Sequence, residues 1–366
     1  MNIYVDASTL EYDCRGISKV TNALYFYLKK IYPNINIYLL QSQKLKANFD
    51  CKHKKIGKPF YIKDIYKARN DYFPKVINKK KPDFIHFPAN GNFSENYFKQ
   101  KGNTKIITTI HDIIPAIIPN IDDKINPNEY LNNIKKYVYM SDIVITVSEN
   151  SKNDLIKYFN ISKEIYVVYP SYFLNRIIDK NVYGDYFLYN GGYSLRKGID
   201  LLVYNFLQLK IRHKLKSKLV LTGEISRIGD NESNANIREL INFGISRNWI
   251  YELGHVSDEH LSSLFINAKA LVYLSLYEGF GLPPLEAMHS GCPVLTTRIS
   301  SIPEVCQDAV YYVDRNNEEE IQNALMYLEN DETLRNKLIE KGFQRAKNFD
   351  WEESVKKYMN ILNNNL

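Results

Sequence analysis

An α/β protein built of two doubly wound, Rossmann-like domains is what this sequence predicts, and three features carry that expectation. The 366 residues exceed what one hydrophobic core ordinarily organises. Short apolar strands alternate with helical stretches along the whole chain, the pattern of parallel sheets covered on both faces. That alternation comes in two series, separated by Tyr169–Asp185, which lacks sustained periodicity and holds Pro170 and Gly184. The expected domains are residues 1–172 and 173–349, with 350–366 as a final helical segment.

The first series opens with the strand Asn2–Asp6 and a helix over Ile17–Ile31, where Ile17, Val20, Leu24, Leu28 and Ile31 fall on one face. Strands follow at Ile35–Leu40, Asp83–Phe87, Lys105–Ile110, Ile143–Val147 and Ile165–Val168. Ser148 is placed to cap a helix after the fourth of these. The second series has strands at Tyr186–Tyr189, Leu219–Thr222, Ile250–Leu253, Ala270–Leu274, Val294–Thr296 and Val310–Val313. Helices at Asp200–Arg212, His260–Ala268 and around Pro283–His289 separate some of them. After a break near Asn348–Asp350, Trp351–Leu362 is helical, and Asn363–Asn365 reads as a frayed end.

Composition narrows the function classes. With 45% apolar and 24% charged residues the chain is an ordinary globular one, not disordered, collagen-like or a coiled coil. Its longest apolar stretch, Ala270–Leu276, is interrupted by Tyr273 and Ser275 and falls far short of the ~20 residues that span a bilayer. Met1–Asp6 carries no charged leader and reads as a buried strand, so a cytoplasmic location is expected. Cys14, Cys51, Cys292 and Cys306 lie far apart, without zinc or redox spacing. Charge is uneven: residues 1–120 hold 20 Lys and Arg against 9 Asp and Glu, an excess of +11, while the rest of the chain stands at −4. Lys44, Lys46, Lys52, Lys54, Lys55, Lys58, Lys63, Lys67 and Arg69 crowd one segment, interleaved with Phe60, Tyr61, Tyr66, Tyr72 and Phe73. Such a run is either a solvated face or a surface that attracts anions such as an acidic membrane leaflet or a lipid diphosphate. No nucleic-acid motif accompanies it.

In open α/β sheets ligands gather beyond the carboxyl ends of strands, so the loops there carry the functional signal. Arg15-Gly16 precedes the first helix; Gly16 is either a simple turn or a close backbone approach to an anion at a helix N-terminus. His111-Asp112 leaves the strand Lys105–Ile110, and His111 either donates to a substrate hydroxyl or is satisfied structurally. Gly191-Gly192-Tyr193-Ser194-Leu195-Arg196-Lys197-Gly198 opens a helix, and Arg196 and Lys197 oppose its dipole, which calls for an anion such as a diphosphate. A solvated basic turn is the competing reading. The strongest signal is Tyr277-Glu278-Gly279-Phe280-Gly281-Leu282-Pro283-Pro284-Leu285-Glu286. Its glycines expose successive N–H groups to an anion, and Pro283 suits a first helical turn. Glu278 and Glu286 are eight residues apart with no metal-ligand partner near in sequence, so no metal site is expected.

At this motif the chain resembles the retaining glycosyltransferases of family four, whose hallmark is a Glu, seven residues and a second Glu, here Glu278 and Glu286. Gly16, His111-Asp112-Ile113-Ile114-Pro115, Val147-Ser148-Glu149-Asn150-Ser151, Gly191-Gly192, Arg196-Lys197, Gly291-Cys292-Pro293-Val294 and Ile302-Pro303-Glu304-Val305 extend the resemblance over roughly residues 1–360. One departure is Gly198, where relatives often have Asn. The resemblance implies the GT-B fold, two domains facing a central cleft, with the last helix crossing back onto the first domain. It implies that Arg196 and Lys197 neutralise the diphosphate of a nucleotide sugar and that Glu286 accepts from its ribose. Glu278, with the N–H groups of Gly279, Phe280, Gly281 and Leu282, would orient the hexose, and His111 would reach a sugar hydroxyl. Gly16, Gly191 and Gly192 would line the donor site. No metal or other cofactor is implied, and no nucleophile.

The His-Asp-Ile-Ile-Pro segment and the double glycine further resemble bacterial surface-polysaccharide enzymes, mannosyltransferases among them. They imply a GDP-mannose donor and a glycan acceptor, while the positive balance of the first 120 residues fits an undecaprenyl-diphosphate-linked acceptor and peripheral attachment to an anionic inner membrane surface. The competing functions are a nucleotide-sugar epimerase or hydrolase on the same fold and an inactive nucleotide-sugar-binding scaffold. A dehydrogenase is disfavoured by the lack of a Gly-x-Gly-x-x-Gly turn after a strand.

Overall fold

The computed structural model describes residues 1–7, 10, 16–41, 51–55, 73–90, 96, 99, 101–118, 126–177, 179–192, 194–223 and 232–366. Two units emerge: Met1–Ser171 together with Phe349–Leu366, and Tyr172–Asn348.

The first unit is a parallel sheet of seven strands in the order β3-β2-β1-β4-β5-β6-β7. Its strands are β1 (Asn2–Asp6), β2 (Asn36–Gln41), β3 (Lys52–Lys55), β4 (Phe84–Phe87), β5 (Lys105–Ile110), β6 (Ile143–Thr146) and β7 (Ile165–Val167). Central strands are buried along most of their length, as sheets covered on both faces require. The helices are α1 (Gly16–Ile31), α2 (Phe73–Lys80), α3 (Ile114–Ile117), α4 (Pro127–Met140), α5 (Glu149–Phe159) and, from the chain's end, α13 (Trp351–Asn363).

The final helix belongs to this unit by its apolar face. Trp351, Val355, Tyr358, Met359 and Leu362 are buried, and the Trp351 ring lies parallel to that of Tyr27 on α1 at 6.1 Å. Asp350 caps it, accepting from the Glu352 and Glu353 amides. Tyr358 also enters a buried polar cluster: its hydroxyl is 3.3 Å from Tyr25 Oη, and Tyr25 Oη is 2.6 Å from His86 Nδ1. Where the chain leaves and re-enters the unit it is pinned, Ser171 Oγ donating to the Phe349 carbonyl and Ser354 Oγ to that of Tyr169.

One strand was not legible in the sequence. Lys52–Lys55 forms the edge strand β3 beside β2; its lysine-rich sequence has none of the apolar alternation that marks a strand, and charge on an edge discourages further pairing. Lys44, Lys46, Lys58, Lys63, Lys67, Arg69, Phe60, Tyr61, Tyr66 and Tyr72 lie outside the described residues. Other boundaries differ from expectation by one or two residues, as helix and strand ends do.

The second unit is a parallel sheet in the order β10-β9-β8-β11-β12-β13. The strands are β8 (Tyr186–Asn190), β9 (Lys218–Thr222), β10 (Ile250–Gly254), β11 (Ala270–Tyr273), β12 (Val294–Thr297) and β13 (Tyr311–Val313). Around them lie α6 (Ile199–Ile211), α7 (Glu232–Ser246), α8 (Asp258–Asn267), α9 (Leu282–Ser290), α10 (Ile302–Cys306), α11 (Glu318–Asn330) and α12 (Glu332–Ala346). Phe187, Tyr189, Val203, Phe206, Val272 and Leu325 are among the residues that close its core. The chain runs outward from β8 through β9 and β10, then returns to place β11 on the other side of β8. Strand order therefore reverses between β8 and β11, and the loops leaving those two strands border the crevice where open α/β sheets bind ligands. Among the described residues no helix is long and apolar enough to cross a membrane.

Candidate functional site

The loop after β8 turns through Gly191 and Gly192 into a short 3-10 turn, Leu195–Lys197, and then α6. Gly198 joins the two with φ +73°, and a Cβ there would lie 2.2 Å from the Leu274 carbonyl oxygen. Asparagine can adopt this backbone, but the carbonyl leaves a Cβ no room, which accounts for glycine here. The contact also docks the basic turn on the chain leaving β11: the Leu276 amide donates to the Arg196 carbonyl at 2.6 Å.

That second loop carries Glu278. Its Oε1 accepts from Arg196 Nη1 at 2.7 Å, Tyr273 Oη at 2.8 Å and Ser275 Oγ at 2.8 Å. Arg196 also donates to the Tyr277 carbonyl. Ser300 Oγ accepts from the Glu278 amide at 2.9 Å, and Ser301 Oγ donates to the carbonyls of Glu278 and Phe280 at 2.9 and 2.7 Å. Gly281 turns at φ +114° into α9, which carries Pro283 and Pro284 where helical N–H groups have no internal acceptor anyway. Glu286 is buried just over one turn in, and Gly291 ends the helix at φ +79°.

The electrostatics follow from this layout. The anion called for beside the basic pair is in part the protein's own: Glu278 pairs with Arg196, and Asp200 stands in the first turn of α6. Lys197 is different. It is half-buried, makes no hydrogen bond or ion pair among the described residues, and its pKa is lowered, chiefly by desolvation and also by Arg196, with Glu278 opposing. Among the described residues no cluster of three or more His, Cys, Asp or Glu could hold a metal ion.

His111, in the first unit, has one ring nitrogen committed to the fold, as the structural one of its two sequence readings expects. Its Nε2 lies 2.9 Å from the Pro88 carbonyl, which can only accept, so the ring's N–H is spent there. Burial lowers its pKa to about 4, against the raising effect of that hydrogen bond, and the neutral ring leaves Nδ1 as an acceptor rather than a donor. The loop is held on every side: the His111 amide donates to Asn90 Oδ1 at 2.7 Å, and its carbonyl accepts from Ser151 Oγ at 2.7 Å. Ser148 caps α5, and the motif Val147–Ser151 thereby supports the motif at His111. Gly16 is the exposed first residue of α1. Tyr273, Ser275, Ser300 and Ser301 were not singled out as site residues from sequence; the one available signal was the pair of hydroxyls interrupting Ala270–Leu276.

Two parallel doubly wound units, the second with its polar loops at a switch point, are the architecture of the GT-B class. Family profiles agree: "Glycosyltransferase Family 4" matches residues 52–176 and "Glycosyl transferases group 1" residues 174–345. O-antigen chain mannosyltransferase B of Escherichia coli is 28% identical over 278 residues, 72% of either chain. Serotype-specific mannosyltransferase WbdA of the same species is 25% identical over 69% of this chain, which spans only 32% of that longer protein. Sucrose-phosphate synthase from Thermosynechococcus elongatus superposes with a TM-score of 0.80 at 16% identity, covering 100% of this chain and 98% of that one. The Anabaena protein HepE in complex with UDP-glucose superposes at 0.74 and 14% identity over both full lengths. The chain belongs to the family-four type of GT-B glycosyltransferases.

Proposed function

We propose that this chain moves a mannosyl group from GDP-mannose onto a growing bacterial surface glycan of the O-antigen or lipopolysaccharide kind, with retention of anomeric configuration and without a metal ion. The observation that carries the reading is Lys197, half-buried and without an anionic partner of its own beside Glu278. As the sugar–phosphate bond breaks, negative charge grows on the nucleoside diphosphate. Fixed positive charge already in place costs no reorganisation at that moment. Lys197 meets the diphosphate, Arg196 reinforces it, and the N-terminus of α9 adds main-chain dipoles. Glu286 accepts from the ribose and Glu278 from the hexose. As the family resemblance implies, the acceptor attacks from the face the leaving group departs, without a protein nucleophile. The E. coli relative's mannosyltransferase name supports the choice of sugar, and the nucleotide sugar held by the Anabaena neighbour supports the class of donor.

The acceptor in this reading is carried on a lipid diphosphate, and the basic excess of the first 120 residues holds the enzyme against an anionic inner leaflet. The test is a screen of GDP-, UDP- and dTDP-sugars for protection against heat unfolding, followed by transfer assays with and without chelator. GDP-mannose giving the largest protection, and chelator leaving transfer intact with an α-linked product, is the expected result. Activity lost to chelator and restored by manganese overturns the metal-free mechanism; protection by UDP-sugars alone overturns the donor. Flotation with vesicles lacking and containing anionic lipid checks the membrane contact, and no preference at low salt rejects it.

A further inference from the structure

Glu278 is held asymmetrically. All three of its side-chain partners, Arg196 Nη1, Tyr273 Oη and Ser275 Oγ, reach Oε1 at 2.7 to 2.8 Å, and none reaches Oε2. Among the described residues Oε2 has no hydrogen-bond partner, although the residue is only 9% exposed. The two hydroxyls come from the carboxyl end of β11. Tyr273 and Ser275 are fully buried, and their backbone is fixed in turn: Thr296 Oγ1 donates to the Tyr273 carbonyl and Thr297 Oγ1 to that of Ser275. A buried phenol at the last position of a core strand has an apolar alternative of the same shape in phenylalanine, so its hydroxyl is there for a partner.

Resting on the transferase reading above, we infer that Tyr273 and Ser275 are positioning residues that saturate Oε1 and thereby reserve Oε2 as a single, fixed acceptor for one ligand hydroxyl. A carboxylate gripped at one oxygen by three donors cannot rotate to receive a ligand with both. It therefore selects a sugar that presents one hydroxyl at that point, and it holds that hydroxyl in one orientation as the anomeric bond breaks. Without Tyr273 Oη, Oε1 regains a lone pair and the carboxylate gains alternative pairings, so the ligand is still bound but its pose is no longer unique.

The experiment compares Tyr273→Phe with the unaltered chain, alone and in a Glu278→Gln background. GDP binding is followed by calorimetry and transfer from GDP-mannose by kcat and KM. A hydrogen bond to a charged group sets the expected scale: kcat about tenfold lower, GDP affinity within about twofold, and no further loss when Tyr273→Phe is added to Glu278→Gln. Ser275→Ala behaves alike and Ser275→Thr, which keeps the hydroxyl, restores kcat; this pair carries the same test should Tyr273→Phe fold poorly. An unchanged kcat in Tyr273→Phe, or the same tenfold loss in both backgrounds, overturns the inference while leaving the transferase reading intact. Failure of the unaltered chain to bind any nucleoside diphosphate overturns the transferase reading, and this inference with it.

Discussion

The loop at His111 and the loop at Glu278 each leave a strand end toward the region where α/β sheets bind ligands, yet they are finished in opposite ways. Around His111 the polar groups the sequence singled out answer one another. The ring N–H goes to Pro88, the amide to Asn90, and the carbonyl takes Ser151, while burial keeps the ring neutral. A cavity of about 30 Å³ in the same unit is bordered by His86, His111, Thr109 and Tyr358. Around Glu278 the backbone is tied down just as thoroughly, but two charged groups are left over: Lys197 and one oxygen of Glu278. The loop at His111 keeps one neutral acceptor, Nδ1, without a hydrogen bond among the described residues. The loop at Glu278 is rigid in its main chain and incomplete in its charges, as the proposed donor site requires.

The sharpest way to break this contrast is to remove the leftover charge. Lys197→Ala should lose at least ~10²-fold in transfer rate, on the scale of deleting one donor that stabilises developing anionic charge. Lys197→Met should leave the melting temperature unchanged or raise it, because a desolvated ammonium without a partner does not stabilise the fold. Melting and kinetics on the same sample check both halves, and a large drop in stability would recast Lys197 as structural.

Protons probe the other side. Burial lowers the pKa of His86 to about 3, with His111 adding to the effect, and that of His111 to about 4. Their unfolded values lie near 6.5, so between these limits the unfolded chain binds more protons and stability falls as pH drops. The contribution is complete above pH 6.5 and is lost progressively toward pH 4, on the order of 2 kcal/mol for each ring by pH 5. Urea unfolding at pH 7.5 and 5 reads it directly, and a flat profile would mean the rings are not buried neutral.

The smallest effects separate the two loops by their serines. Ser151→Ala removes the donor to the His111 carbonyl, and Ser301→Ala the donor to two carbonyls beside Glu278. Each should cost about 1 kcal/mol in stability. Only Ser301→Ala should lower kcat by several-fold as well, since it loosens the loop that aims Glu278. Equal kinetic losses from both would erase the distinction between support and site.

Much of this was legible because local signals and tertiary demands coincide. Strands such as Lys105–Ile110 and Ile143–Thr146 are short apolar runs that a buried parallel sheet needs, and Pro283, Gly198 and Gly291 mark turns only a few residue types can make. Lys52–Lys55 was opaque for the converse reason: an edge strand needs only backbone partners, and its side chains carry no periodic trace.

The chain's own letters determined the two strand–helix series, the place of the charged loops at strand ends, and the pair Glu278 and Glu286. All of these depend on residues near in sequence and on the backbone geometry they permit. Tertiary structure alone decided which charges are spent and which remain. Arg196 meets Glu278 across 82 residues, Ser151 meets His111 across 40, and Tyr358 meets His86 across 272. Whether a polar group is satisfied depends on what the fold brings within hydrogen-bond reach of it, and no spacing along the sequence encodes that distance.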